Sequence, residues 1–125
     1  MFELSKQFRF DAAHTLDRSI ATEPSRRIHG HSYRAEVTVR GRPDPTTGMI
    51  VDLGRLEQMM EDARDALDHR FLDEINDLGP ATMENISRWI WDRLRPEISN
   101  LHRVSVYRDS GSEACSYWGE EEVSA

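Results

Sequence analysis

Two segments with period-two alternation constrain the fold of this chain more than any other feature. In residues 2–14 the even positions are mostly apolar, and in residues 28–41 the odd positions are apolar from Tyr33 onward. Side chains two residues apart on a strand point to the same face, so each segment is predicted to be a half-buried β-strand. The apolar faces of the two strands then need a covering layer from the rest of the chain.

Three histidines occupy these faces. His29 and His31 begin the second strand, and His14 ends the first. Two imidazoles on one strand face, about 7 Å apart along the backbone, can converge on one metal at about 2 Å per Zn–N bond. Three imidazoles leave a fourth position open, as in catalytic zinc sites, and zinc is the first choice for such a set. The alternative is surface or core histidines without a metal, and spacing alone does not decide between the two.

Two helices are predicted after the second strand. Asp52 is placed to cap the first, whose apolar residues recur at steps of three and four across residues 53–67. Thr82 is placed to cap the second, whose apolar stripe lies within residues 86–94. Each helix would present one apolar face, which suits the uncovered face of a sheet.

The remaining segments complete an α+β domain. Strands are predicted at residues 103–108 and 115–119, and residues 15–27 are predicted to be a long loop between the two histidine-bearing strands. The order β-β-α-α-β-β indicates an antiparallel sheet covered on one face by two helices, in a single domain spanning residues 1–125. Such a sheet has two exposed edges, which oligomerisation would cover.

Composition excludes several classes of protein. The chain has 125 residues, 31% of them charged, and a formal net charge of −7, which argues against nucleic acid or an anionic membrane as the main partner. No apolar run approaches the ~18 residues of a membrane span, and the N-terminus lacks the layout of a signal peptide. The single cysteine, Cys115, excludes an internal disulfide and leads us to expect a cytoplasmic protein.

Two further segments carry polar residues with two interpretations each. Asp68 and His69 follow the first predicted helix, where a histidine interacts favourably with the helix dipole; the functional alternative is a proton-transfer histidine oriented by a carboxylate. Thr82 and Glu84 open the second helix, where capping and dipole compensation explain them. The free N–H groups at that helix start could also bind the polar edge of a ligand.

Six short motifs occur in order along nearly the whole chain: FDAAH at 10–14, HGHSY at 29–33, DPTTGMIVD at 44–52, LDHRFL at 67–72, TMEN at 82–85 with WIW at 89–91, and CSYWGE at 115–120. In this order they resemble the 6-pyruvoyl-tetrahydropterin synthase and 6-carboxytetrahydropterin synthase family. The resemblance implies a tunnelling fold (T-fold), in which the sheets of three subunits join edge to edge in a barrel and two trimers form a homohexamer.

The resemblance also implies a chemistry. Zinc would be bound by the three histidines and would polarise side-chain oxygens of 7,8-dihydroneopterin triphosphate while protein groups move protons and triphosphate leaves. By position, Asp68 and His69 match the family's relay pair, and Thr82 and Glu84 match its pterin-side helix start.

The chain departs from the family pattern at two positions. Ser25 stands four residues before His29, where the family has a cysteine base; a thiol pKa near 8.5 can be lowered towards neutrality, whereas a serine hydroxyl starts far higher. Asp109 matches the glutamate that holds the amino and ring N–H edge of the pterin, but its carboxylate is set back by about 1.5 Å. Glu113 is the alternative for that role.

With these departures, the resemblance implies a zinc-dependent pterin lyase of this family that acts on dihydroneopterin triphosphate or a related pterin. The serine in place of the cysteine implies altered proton-transfer chemistry. The alternative is a homologue that binds zinc and a pterin without the standard synthase activity, either catalysing a different side-chain reaction or acting only in binding.

Overall fold

The computed structural model describes residues 1–20 and 22–120. Its strands are β1 (Phe2–His14), β2 (His29–Gly41), β3 (Arg70–Phe71), β4 (Leu101–Arg108) and β5 (Glu113–Tyr117). Its α-helices are α1 (Thr22–Arg26), α2 (Leu53–Leu67) and α3 (Met83–Leu94). Two short 3₁₀ turns, Leu72–Glu74 and Asp109–Gly111, follow β3 and β4.

The strands form one five-stranded sheet in the order β3-β1-β2-β4-β5. β1 and β2 are antiparallel over their whole length, with Phe2 opposite Gly41 and His14 opposite His29. The prediction of an antiparallel sheet is wrong at one edge, because β3 runs parallel to β1 and makes the sheet mixed. β3 has two residues, which are too few to show an alternation pattern in the sequence.

The alternation in β1 and β2 separates a buried face from a polar face. Phe10 and Tyr33 stack at 4.9 Å between ring centroids on the buried face. This inner face packs against the predicted apolar stripes of α2 and α3, which confirms the two helices on one face of the sheet. The buried helix residues that form this layer are Leu56, Met60, Ala63, Leu67, Ile86, Trp89, Ile90 and Leu94.

Both predicted helix caps are confirmed. The Asp52 carboxylate accepts a hydrogen bond from the Gly54 backbone N–H at 2.9 Å, and the Thr82 hydroxyl accepts one from Asn85 N–H at 3.1 Å. Each satisfies one of the free donors at a helix start. Within the described part of the chain, no helix has the length and apolar character needed to cross a membrane.

Three predicted boundaries are wrong. Residues 15–27, predicted to be a loop, contain α1, whose five residues are too few to show helical periodicity. β4 begins at Leu101 rather than at residue 103. β5 covers residues 113–117 rather than 115–119, and Gly119, at φ 87°, lies in a conformation that does not continue a strand.

Candidate metal centre and active site

The pairing of β1 with β2 brings three histidines together. His14 lies opposite His29, and His31 lies opposite Ala12, so all three imidazoles project from the inner face at one end of the hairpin. Their ring centroids are 4.5, 4.8 and 5.0 Å apart. One nitrogen of each ring lies within 4.8 Å of the corresponding nitrogens of the other two. This histidine triad has the spacing of a candidate metal site.

Backbone carbonyls orient two of the rings. His14 Nδ1 donates to the Ala81 carbonyl at 2.7 Å, and His29 Nδ1 donates to the Arg27 carbonyl at 2.8 Å. A carbonyl only accepts, so the proton of each neutral ring lies on Nδ1 and the Nε2 lone pair is free. His14 Nε2 is buried and has no hydrogen-bond partner among the described residues. A buried acceptor without a partner is unfavourable, and a bound metal ion would satisfy it.

Burial favours the neutral form of His14 and His31. Removal from water is the largest cause that lowers the pKa of His31 to about 4, followed by the nearby positive charge of Arg108. The pKa of His14 is also lowered, again chiefly by burial. Neutral imidazoles carry the lone pairs that metal ligation requires, so the donor set fits a divalent cation such as zinc.

Arg108 contacts the triad. Its Nη1 lies 3.1 Å from His31 Nε2, and its Nε and Nη2 pair with the Glu113 carboxylate. Our assignment from the sequence missed Arg108, although the pattern of β4 contains the signal. Arg108 has the parity of the buried residues Val104 and Val106, so its side chain points to the inner face.

A cavity of about 560 Å³ opens beside the triad. His14 and Arg108 line it together with Thr82 and Glu84, the two residues predicted at the start of α3. The chain segment that follows β1, residues 15–18, also lines it. The cavity is therefore lined both by the candidate metal site and by the N-terminal end of α3.

Asp68 and His69 form a hydrogen-bonded pair at the end of α2. Asp68 Oδ2 lies 3.0 Å from His69 Nδ1 and 3.2 Å from Arg64 Nη2, and Oδ1 accepts from the Asp11 backbone N–H at 2.9 Å. The Asp11 hydrogen bond is the largest cause that lowers the pKa of Asp68, and the contacts with His69 and Arg64 lower it further. The carboxylate therefore stays ionised and orients a ring that is largely exposed to solvent.

The pairing of two adjacent residues depends on an unusual backbone conformation. His69 has φ 57°, in the left-handed region, and its N–H donates to the Asp11 carbonyl at 2.6 Å. Neighbouring residues within a helix do not face one another, so this turn just beyond α2 is what allows the contact. His31 and His69 both line a second open groove of about 560 Å³ at the ends of β1 and β2.

Ser25 is buried in α1, with 6% of its surface exposed. Its backbone carbonyl accepts from Leu16 N–H at 2.7 Å, which ties α1 to the segment that follows His14. In the described part of the chain, the Ser25 hydroxyl makes no hydrogen bond to the triad or to His69.

Asp109 lies among arginines of the polar face. Its carboxylate accepts from Arg34 at 3.0 and 3.1 Å and lies 3.5 Å from Arg9 Nη1. The Arg34 hydrogen bond is the largest cause that lowers its pKa. The structure thus separates Asp109 from the cavity beside His14, whereas Glu113 reaches the triad through its pairing with Arg108.

Several known proteins are similar to this chain in sequence over most of its length. The family model described as 6-pyruvoyl tetrahydropterin synthase matches residues 3–120. The human 6-pyruvoyl tetrahydrobiopterin synthase is 32% identical over 134 residues, covering 94% of this chain and 92% of that protein. The 6-carboxy-5,6,7,8-tetrahydropterin synthase of Synechocystis is 33% identical over 120 residues, covering 91% and 92%.

Solved structures show the same fold. The 6-pyruvoyl tetrahydropterin synthase of Caenorhabditis elegans superposes with a TM-score of 0.80 at 27% identity, covering 95% of this chain and 96% of that one. The match extends over the strands that carry the triad and the helices that cover them. The chain is therefore a member of the 6-pyruvoyl tetrahydropterin synthase family, whose members are lyases.

Proposed function

We propose that this protein is a zinc-dependent lyase acting on 7,8-dihydroneopterin triphosphate or a related pterin. The observation that carries the proposal is the convergence of three imidazoles, one of which buries an Nε2 that has no partner within residues 1–20 and 22–120. His14, His29 and His31 would hold the ion. When bound, zinc supplies Lewis-acid polarisation of a substrate oxygen.

His69 is the proton-transfer group in this proposal. Asp68 accepts from its Nδ1, which leaves Nε2 to take a proton from the substrate and to return one. The imidazole is exposed, with 80% of the side chain accessible, and it lines the groove that the metal-ligand candidate His31 also lines. The ionised Asp68 stabilises the positive charge that the ring acquires when it takes the proton.

Ser25 does not replace the family cysteine as a base in this proposal. A serine hydroxyl loses its proton far less readily than a thiol, and Ser25 has no hydrogen bond to the relay pair. Glu23, the acid nearby, is exposed and paired with Arg27 at 2.7 Å. Proton transfer therefore depends on His69, and this altered chemistry is what distinguishes the chain from relatives with the cysteine.

The pterin would bind at the start of α3. Thr82 and Glu84 line the cavity beside His14, where the Glu84 carboxylate can accept from the amino and ring N–H groups of a pterin. Asp109 is left out of this role because Arg34 and Arg9 already engage its carboxylate. Glu113 is left out because it pairs with Arg108.

We propose further that the chain assembles as a homohexamer built from two trimeric barrels. β3 pairs with β1 only at Ala12 and Ala13, so the rest of that edge has no partner strand among the described residues, and β5 forms the opposite edge. Two open edges on one sheet support closure between subunits.

Incubation of the zinc-loaded protein with 7,8-dihydroneopterin triphosphate tests the function directly. Mass spectrometry is expected to show loss of triphosphate and a dehydrated or shortened pterin side chain. A matched His69→Asn variant should bind the substrate but turn it over at least about a hundredfold more slowly. Substrate binding without conversion in the unmodified protein would support the binding homologue instead and overturn the lyase proposal.

A further inference from the structure

We propose that Arg108 and Glu113 form an anion subsite beside the histidine triad, so that the ligand reaching the metal face presents a carboxylate or phosphate group there. The inference rests on the proposed metal function and deepens it by naming the chemical class of the ligand. It follows from one juxtaposition: a guanidinium lies 3.1 Å from a triad nitrogen and lines the cavity next to His14.

Glu113 fixes the orientation of Arg108. It engages Nε and Nη2 of the guanidinium and leaves Nη1 directed at His31 Nε2. The Arg108 side chain is 22% exposed, so the guanidinium reaches the cavity without extending into bulk solvent. A planar guanidinium held at one edge by a carboxylate presents its remaining N–H donors in a fixed direction, as suits recognition of anionic oxygens.

Charge makes this side of the triad selective for anions. The Arg108 guanidinium contributes one positive charge, and a divalent metal adds two further positive charges. Glu113 offsets one of these. Among the other residues that line the cavity, Asp17 and Glu84 carry negative charges and Arg18 a positive one, which leaves a net positive charge of one when the metal is bound. Two cationic groups this close repel one another unless an anion lies between them, and a carboxylate or phosphate has enough oxygens to contact both.

Arg108 also competes for the same nitrogen as the metal. Its Nη1 donates to His31 Nε2, a lone pair available for metal ligation. Without an anion, the guanidinium therefore opposes metal binding, both through this hydrogen bond and through its charge. With an anion bound, the guanidinium can donate to the anion instead, and His31 Nε2 is then available to bind the metal. Metal and anion are accordingly expected to bind with positive coupling, each raising the affinity for the other.

Cobalt substitution tests the proposal with a readout other than activity. The Co²⁺-loaded full chain is titrated with acetate, inorganic phosphate and uncharged ethylene glycol while its visible d–d absorption is recorded. Acetate or phosphate is expected to shift the spectrum, and Arg108→Met should weaken that binding at least about tenfold. Without anion, the same variant should bind Co²⁺ more tightly. Whichever of acetate and phosphate binds with the higher affinity shows whether the subsite prefers a carboxylate or a phosphate group.

Matched variants separate a recognition role from a structural one. Glu113→Gln keeps the guanidinium but loosens its position, so it should weaken anion binding less than Arg108→Met does. Arg95→Met removes an exposed arginine at the far end of α3 and should change neither affinity. Circular dichroism verifies that each variant is folded.

The outcomes distinguish the two proposals. If the unmodified protein fails to bind Co²⁺, the proposed metal function fails and the anion subsite fails with it. If Co²⁺ binds but Arg108→Met leaves anion affinity unchanged, or glycol binds as well as acetate and phosphate, the anion subsite alone is overturned.

Discussion

At the scale of single residues, the candidate site depends on histidines in which a hydrogen bond already holds one ring nitrogen. Backbone carbonyls hold Nδ1 of His14 and His29, and a carboxylate holds Nδ1 of His69. In each case the second nitrogen remains for chemistry. The left-handed backbone of His69 is the conformation that makes its pairing with Asp68 possible.

Replacing His69 by Asn separates conformation from chemistry. Asparagine tolerates the left-handed region better than most residues, so stability should change by less than about 1 kcal/mol. Turnover should fall by about 10²- to 10⁴-fold, because the proton-transfer group is gone. Steady-state kinetics and thermal unfolding measure the two effects. His102→Asn, which alters a histidine near Glu3, is the control and should leave turnover unchanged.

Replacing Ser25 by Cys tests whether this position adjoins the reacting carbon. A thiol ionises far more readily than a hydroxyl, so the variant is expected to turn over dihydroneopterin triphosphate at least about tenfold faster. The comparison is made in a Cys115→Ser background, so that the new thiol is the only one. An unchanged rate would show that residue 25 does not adjoin the reacting carbon in this chain.

Asp109 should prove structural rather than pterin-binding. Arg34 lowers its pKa in the folded state below the unfolded value of about 3.9, so its contribution to stability is present above that value and is lost as pH falls through the folded pKa. Asp109→Asn should therefore flatten the decline of stability in acid, as measured by urea unfolding from pH 6 to 3. Calorimetry should show unchanged pterin affinity, and a large loss of affinity would return Asp109 to the binding site.

At the scale of elements, alternation predicted the strands that carry the triad, and three-and-four periodicity predicted the helices that cover them. The proximity of the histidines followed from parity, because His14 and His31 face inward on strands that pair directly. α1 and β3 were missed because segments of five and two residues show no period. The separation of Asp109 from Arg108 depends on the turn after β4, where strand alternation no longer applies.

The two helix caps allow a matched test of α3. Thr82→Ala and Asp52→Ala each remove one capping hydrogen bond, and each should lower the free energy of unfolding by about 1 kcal/mol. Only Thr82 lines the cavity, so only its replacement should weaken pterin binding. Urea denaturation and calorimetry on both variants make the comparison. Equal pterin affinity in the two would contradict a pterin site at the start of α3.

At the scale of the whole molecule, the open edges and the polar face of the sheet suit assembly. Glu36 on that face accepts from Gln7, Arg103 and Tyr107, so the surface opposite the helices is a polar network. A sheet with a polar face of this kind can line a water-filled barrel.

Light scattering tests the proposed assembly. A homohexamer has about six times the 14.5-kDa mass of one chain. We expect that mass at micromolar protein concentration, unchanged by moderate salt, because backbone hydrogen bonds between strands depend little on ionic strength. A monomeric mass would contradict closure of the sheet edges between subunits.

The central claim is that the triad binds zinc, and anomalous diffraction at the zinc edge tests it most directly. In a crystal of the zinc-loaded protein, we predict one strong anomalous peak about 2.0–2.1 Å from a nitrogen of each of His14, His29 and His31. No peak at the triad, with or without a peak elsewhere in the molecule, would contradict the account.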